Sequence, residues 1–109
     1  MSTKPETVAH LKRQLAAAGQ IRIQPMFGEY GLYVGEKMVG IVGDDRLFIK
    51  KTAYGDAKLG EGYDAPPYPG AKPQLLIPED KVADAAWLCD LVRNSAAELP
   101  EPKPKKPRL

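Results

Sequence analysis

The sequence predicts an α+β domain: a two-layer sandwich whose antiparallel meander of about five strands carries an N-terminal and a C-terminal helix, mainly on one face. Three observations point there. Residues 21–50 are short apolar runs cut by glycine turns, an amphipathic stretch precedes them, and a longer one, opened by a proline and two acids, follows them. At 109 residues the chain is sized for one domain, which buries roughly two thirds of its unfolded surface without staples.

The first helix is read from Thr3 and Glu6, spaced as a capping box, with Pro5 in the first turn where a missing N–H costs little. Val8, Leu11, Leu15 and Ala18 recur at three- and four-residue steps on one face, and Gly19 supplies a stop. Ile21, Ile23 and Phe27 then alternate with Arg22, Gln24 and Met26, the pattern of a half-buried strand. Pro25 predicts an edge position, a bulge or an early break. Gly28-Glu29 turns into Tyr30–Val34, and Gly35-Glu36 suits a type II′ hairpin. Met38–Val42 follows, then a turn at Gly43-Asp44-Asp45, then Arg46–Lys50. Connections this short force sequential antiparallel neighbours.

Thr52–Leu59 reads as a short helix, and Gly60–Pro73, with Tyr63 and Tyr68, as an ordered loop lying over the sheet. Gln74–Ile77 is a brief strand. Pro78 opens a second long helix with Glu79 and Asp80 in its first turn, where the dipole favours acids. Val82, Ala85, Ala86, Cys89 and Val92 mark its apolar face, widened by Trp87, Leu88 and Leu91. The domain is residues 1–97. Residues 98–109 form a flexible tail of alternating proline and charge, too poor in apolar side chains to offset ordering entropy.

Charge is distributed unevenly. The net +2 resides in the tail, where Lys103, Lys105, Lys106 and Arg108 face Glu98 and Glu101, while the body is balanced. A balanced body argues against a broad phosphate-binding face. A single cysteine, Cys89, excludes an internal disulfide, and with one histidine, His10, it excludes a Cys/His zinc cluster. No apolar run approaches the ~20 residues of a bilayer span, and the polar start carries no signal peptide, so the expected location is cytoplasmic.

The candidate chemistry is sparse. Cys89 with His10 is the one conceivable nucleophile–base pair, but nothing brings the two together and Cys89 sits on an apolar stripe. Asp44, Asp45, Glu29 and Glu36 place acids at turns; paired carboxylates can hold a metal or do acid–base work, but turn chemistry, in which their side chains bond nearby backbone, is favoured. The glycines match neither phosphate-loop pattern. Tyr30 and Tyr33 point to opposite faces, so they make no shared stacking platform. The densest basic cluster of the body is Arg46, Lys50 and Lys51, with Lys58 near it in sequence. It suits phosphate or an acidic protein, and it equally suits edge-strand protection. No catalytic, cofactor-binding or metal-binding residue is assigned. The tentative contact residues are Arg46, Lys50, Lys51, Lys103, Lys105, Lys106 and Arg108.

Met26-Phe27-Gly28, Tyr30-Gly31-Leu32-Tyr33, Lys37-Met38 and Arg46–Lys50 resemble the N-terminal domain of the TfoX/Sxy family, bacterial regulators associated with competence gene expression. Leu75-Leu76-Ile77-Pro78, followed by an acid-led helix containing Trp87, is similar too, and the resemblance covers most of residues 3–97. It implies an α/β two-layer sandwich, no enzymatic activity and no cofactor. It also implies a role in transcription regulation through protein contacts, with transcription machinery or a second copy as partner. Full regulators carry a second, helical domain where this chain has its charged tail, so the competence role itself is left open. The alternative function is weak nucleic-acid binding through Arg46, Lys50, Lys51 and the tail.

Overall fold

The computed structural model describes residues 3–26 and 29–100. Among them the chain runs α1 (Pro5–Gln14), a 3₁₀ turn (Ala16–Ala18), β1 (Ile21–Met26), β2 (Glu29–Val34), β3 (Lys37–Gly43), β4 (Arg46–Ile49), α2 (Ala53–Leu59), β5 (Asp64–Ala65), β6 (Gln74–Leu76), α3 (Glu79–Val82) and α4 (Ala85–Glu98). Phe27 and Gly28, read as a strand end and a turn, and Lys103, Lys105, Lys106 and Arg108 of the tail lie outside the described residues.

The strands form one antiparallel sheet in the order β1-β2-β3-β4-β6-β5. The α+β meander is as expected, with a sixth strand in place of about five. The addition is β5, two residues within the 60–73 loop that pair with β6. Pro25 does not break β1, whose pairing with β2 runs through Met26. The Gly35 N–H donates to the Gln20 carbonyl at 2.8 Å, which sets the alternation. In that alternation Pro25 falls on the outward, unpaired side of an edge strand, where its missing N–H costs the ladder nothing.

One face of the sheet carries the core. Leu11, Leu15 and Ala18 from the first helical segment and Leu88, Leu91 and Val92 from α4 close over Leu32, Val42, Leu47, Ile49 and Leu75. Each fully buried leucine contributes about 1.5–3 kcal/mol. Gly40 leaves no room for a side chain against β4: a Cβ there would lie 2.1 Å from the Phe48 carbonyl oxygen. On the opposite face Ile41 pairs with Phe48, both buried, and the Pro67 carbonyl comes to 3.7 Å from where a Gly43 Cβ would stand. The 60–73 segment thus lies against the sheet.

Several local expectations give way to tertiary contacts. Thr3 and Glu6 do not form a capping box. Lys4 is the N-cap residue without a side-chain bond, and the Thr3 hydroxyl instead donates to Glu29 at 2.7 Å. The second long helix is two helices, because Asp84 leaves the helical conformation and accepts the Trp87 N–H at 3.1 Å, capping α4. That re-phases the stripe: Leu88, Cys89, Leu91, Val92, Ser95 and Ala96 are buried, and Ala85 and Ala86 are exposed. Gly43 closes β3, and the turn is Asp44-Asp45. Helix α2 packs on α4 through Thr52, whose hydroxyl accepts the Gly55 N–H at 2.9 Å and meets the buried Ser95 hydroxyl at 3.3 Å.

Candidate functional site

A cleft of about 380 Å³ lies at the β3–β4 end of the sheet. Its floor is apolar, built by Leu11 of α1, Leu47 of β4, Ile77 after β6 and Val82 of α3. Its rim is polar: Glu6, Thr7 and His10 from α1, Asp45 and Arg46 from the hairpin, and Glu79 from α3.

Two of those rim groups are occupied by the fold. One Asp45 carboxylate oxygen accepts the Lys4 N–H at 2.7 Å and the Thr7 hydroxyl at 2.9 Å, so Asp45 caps α1 from across the molecule. The Lys4 backbone bond first, and the Thr7 hydroxyl second, hold its carboxyl below the ordinary aspartate value. Arg46 lies 3.6 Å from Asp44, with its guanidinium over the Phe48 ring at 5.6 Å. Glu29 completes the hairpin's support. One of its oxygens accepts the Thr3 N–H (3.1 Å) and hydroxyl, the other the Asp44 N–H at 2.9 Å, and the Thr3 hydroxyl in turn accepts the Asp45 N–H at 3.2 Å.

The remaining sequence candidates are not gathered here. Lys51 places its ammonium between Asp64 at 2.8 Å and Asp56 at 3.0 Å, tying α2 to β5, and these two bonds raise its pKa, Asp64 first. Lys50 lies beyond the far end of β4 from Arg46, in a second cleft with Tyr33, Met38, Leu99 and Pro100. Tyr30 packs against the core while Tyr33 faces away from it, under the Arg22 guanidinium at 5.0 Å. The Cys89 thiol donates to the Gln14 carbonyl at 3.1 Å, and His10 lines the acid-rimmed cleft.

A polar hub on α2 and α4 was not legible beforehand. Asp90 accepts from the Tyr54 hydroxyl, from Lys58 at 2.7 Å and from Asn94 at 3.1 Å. The Lys58 bond foremost lowers the Asp90 pKa, and the bond to Asp90 foremost raises those of Tyr54 and Lys58. Trp87 lies within cation–π reach of Lys58 at 5.3 Å and Lys81 at 5.4 Å. Only the helical spacing of Trp87, Asp90 and Asn94 hinted at this, since Tyr54 and Lys58 come from a separate element.

These hydrogen-bonded carboxylates act as braces. Among the described residues no group of three or more His, Cys, Asp or Glu is placed to hold a metal ion, and no helix is long and apolar enough to cross a membrane. What the acid-rimmed cleft can do chemically is receive an apolar side chain flanked by positive charge.

Comparison with known proteins agrees with the architecture. The family model of the TfoX N-terminal domain matches residues 13–99. An uncharacterized 12.7 kDa protein in the trpE 5′ region of Spirochaeta aurantia is 40% identical over 106 residues, covering 97% of this chain and 91% of the relative.

Proposed function

The chain belongs to the TfoX N-terminal domain family, and on that premise we propose that it is a binding domain that regulates transcription by holding a segment of a partner protein. The family is non-enzymatic. In this reading the domain works in the bacterial cytoplasm, and the segment is an apolar side chain followed by basic residues. One observation carries the proposal: the cleft pairs an apolar floor of Leu11, Leu47, Ile77 and Val82 with a rim on which Glu6, Asp45 and Glu79 outnumber Arg46. Glu6 and Glu79 are exposed, so they would meet an incoming cation without first losing much hydration.

Affinity capture from a bacterial lysate with the wild type and with the Glu6→Lys, Glu79→Lys double variant tests the reading. A regulator retained by the wild type and lost by the variant supports it. Equal capture by both, or none by either, sinks it. Light scattering on the purified protein sorts out the other occupant: a dimer dispersed by the double substitution would assign the cleft to a second copy.

A further inference from the structure

Strand β1 ends the sheet and, among the described residues, has β2 as its one neighbour. The bond from the Gly35 N–H to the Gln20 carbonyl sets the alternation along it. Arg22, Gln24 and Met26 bond inward to β2, and Ile21, Ile23 and Pro25 turn their backbone groups outward. Those outward groups are unequal. Pro25 has no N–H, and the Ile21 N–H is taken by the Gly19 carbonyl at 3.0 Å. Among the described residues the edge therefore offers the carbonyls of Ile21, Ile23 and Pro25 but a single free donor, the Ile23 N–H. A groove of about 490 Å³ joins the half-buried Ile21 and Ile23 to the exposed Lys12 and Ala16 of the first helical segment. Arg22 shares the lining, and no carboxylate does. Among the described residues neither Lys12 nor Arg22 has a carboxylate within ion-pair distance, whereas Arg46, Lys51 and Lys58 each do.

We propose that the free edge of β1 takes up an extended segment of a partner protein as a further strand, one in which apolar residues alternate with carboxylates. The backbone selects a foreign chain. Such a strand carries its own donors and can reach all the outward carbonyls of β1. A second copy cannot, because in any antiparallel pairing of β1 with itself each strand contributes only the Ile23 N–H. Pro25 thus guards the edge against other copies while leaving it open to a different chain. The side chains select the chemistry. Alternate residues of the added strand fall on the side of Ile21, Ile23 and Ala16, where apolar groups are buried. The residues between them project on the side of Arg22, and Lys12 borders the groove, so carboxylates meet cations that have no other acid. This edge is separate from the acid-rimmed cleft and stands or falls without it.

Fluorescence anisotropy of the full chain with a short labelled peptide of alternating valine and glutamate tests the site. Binding is expected by about 1 mM protein and should weaken as salt is added. A valine–lysine peptide should bind at least about tenfold more weakly, and Lys12→Glu with Arg22→Glu should reverse that preference. Ile23→Pro, which removes the outward N–H, should lower affinity about fivefold. Pro25→Val, which supplies a donor, should tighten peptide binding and let the protein dimerise in light scattering. One readout needs no variant: hydrogen exchange at the Ile23 amide should slow when the peptide is bound, with the Asp45 and Arg46 amides unmoved. No binding at about 1 mM, unchanged exchange at Ile23, or equal affinity for the two peptides would overturn the site. A wild-type dimer with a protected Ile23 amide would assign the edge to a second copy instead.

Discussion

The two hairpins that share β3 reverse the chain by the same number of residues and are held in opposite ways. At β2–β3 the turn solves its own problem. Gly35 takes φ +60°, Glu36 keeps an ordinary negative φ as a type II′ turn requires, and nothing lies within 4 Å of where a Gly35 Cβ would stand. At β3–β4 both turn residues are left-handed and neither is glycine: Asp44 has φ 52° and Asp45 φ 61°. Aspartate tolerates that region better than most residues, but two in succession carry strain. The strain is offset from outside the turn, by Glu29, Thr3 and the N-terminus of α1. One hairpin is thus a local device and the other a tertiary one, and the tertiary one forms a wall of the acid-rimmed cleft.

The largest expected effect strikes the strand common to both. Gly40→Ala drives a methyl group into the Phe48 carbonyl, where backbone cannot yield cheaply, and should destabilise by about 3 kcal/mol or more in urea unfolding. Next, Glu29→Ala removes the acceptor of three hydrogen bonds at the braced hairpin and should cost about 2 kcal/mol. Hydrogen exchange would show the loss concentrated at Asp44, Asp45 and the first turn of α1, with the β2–β3 turn unmoved. Loss spread evenly over both hairpins would break the comparison.

Acid sharpens the same contrast. Asp45 titrates below its ordinary value of 3.8 because the folded chain bonds its charged form. A depressed carboxylate contributes stability that is complete above 3.8 and is lost as pH falls through the lower folded value. Urea midpoints measured from about pH 5 down to about pH 3 should therefore drop more steeply for the wild type than for Asp45→Asn. Parallel curves would remove Asp45 from the bracing. At the open hairpin, Gly35→Ala places a side chain at φ +60° without any clash and should cost about 1 kcal/mol.

The smallest change runs the other way. The Asp44 side chain makes an exposed 3.6 Å pair with Arg46, worth little, while its backbone N–H does the bonding to Glu29. Asp44→Gly relieves one left-handed residue and keeps that bond. It should stabilise by about 0.5 kcal/mol, read as a higher melting temperature.

Local chemistry determined much of this protein in the sequence itself. Periodicity in Leu11, Leu15 and Ala18, alternation in Ile21 and Ile23, and the spacing of Gly35-Glu36 report interactions between residues a few positions apart. They placed the first helix and the meander, and they marked Pro25 for an edge position, a bulge or an early break. The family was legible for the same reason, because its matching motifs run contiguously along β2, β3 and β4. Tertiary structure alone decided which polar groups do work. Thr3 abandons Glu6 for Glu29, Glu98 reaches back to accept the Ala53 N–H at 2.5 Å, and Lys51 is consumed by Asp56 and Asp64. Hydrogen bonds and ion pairs act over about 3–4 Å of space at any separation along the chain. Which cations stay free for a ligand is therefore settled only when the sheet and its helices close.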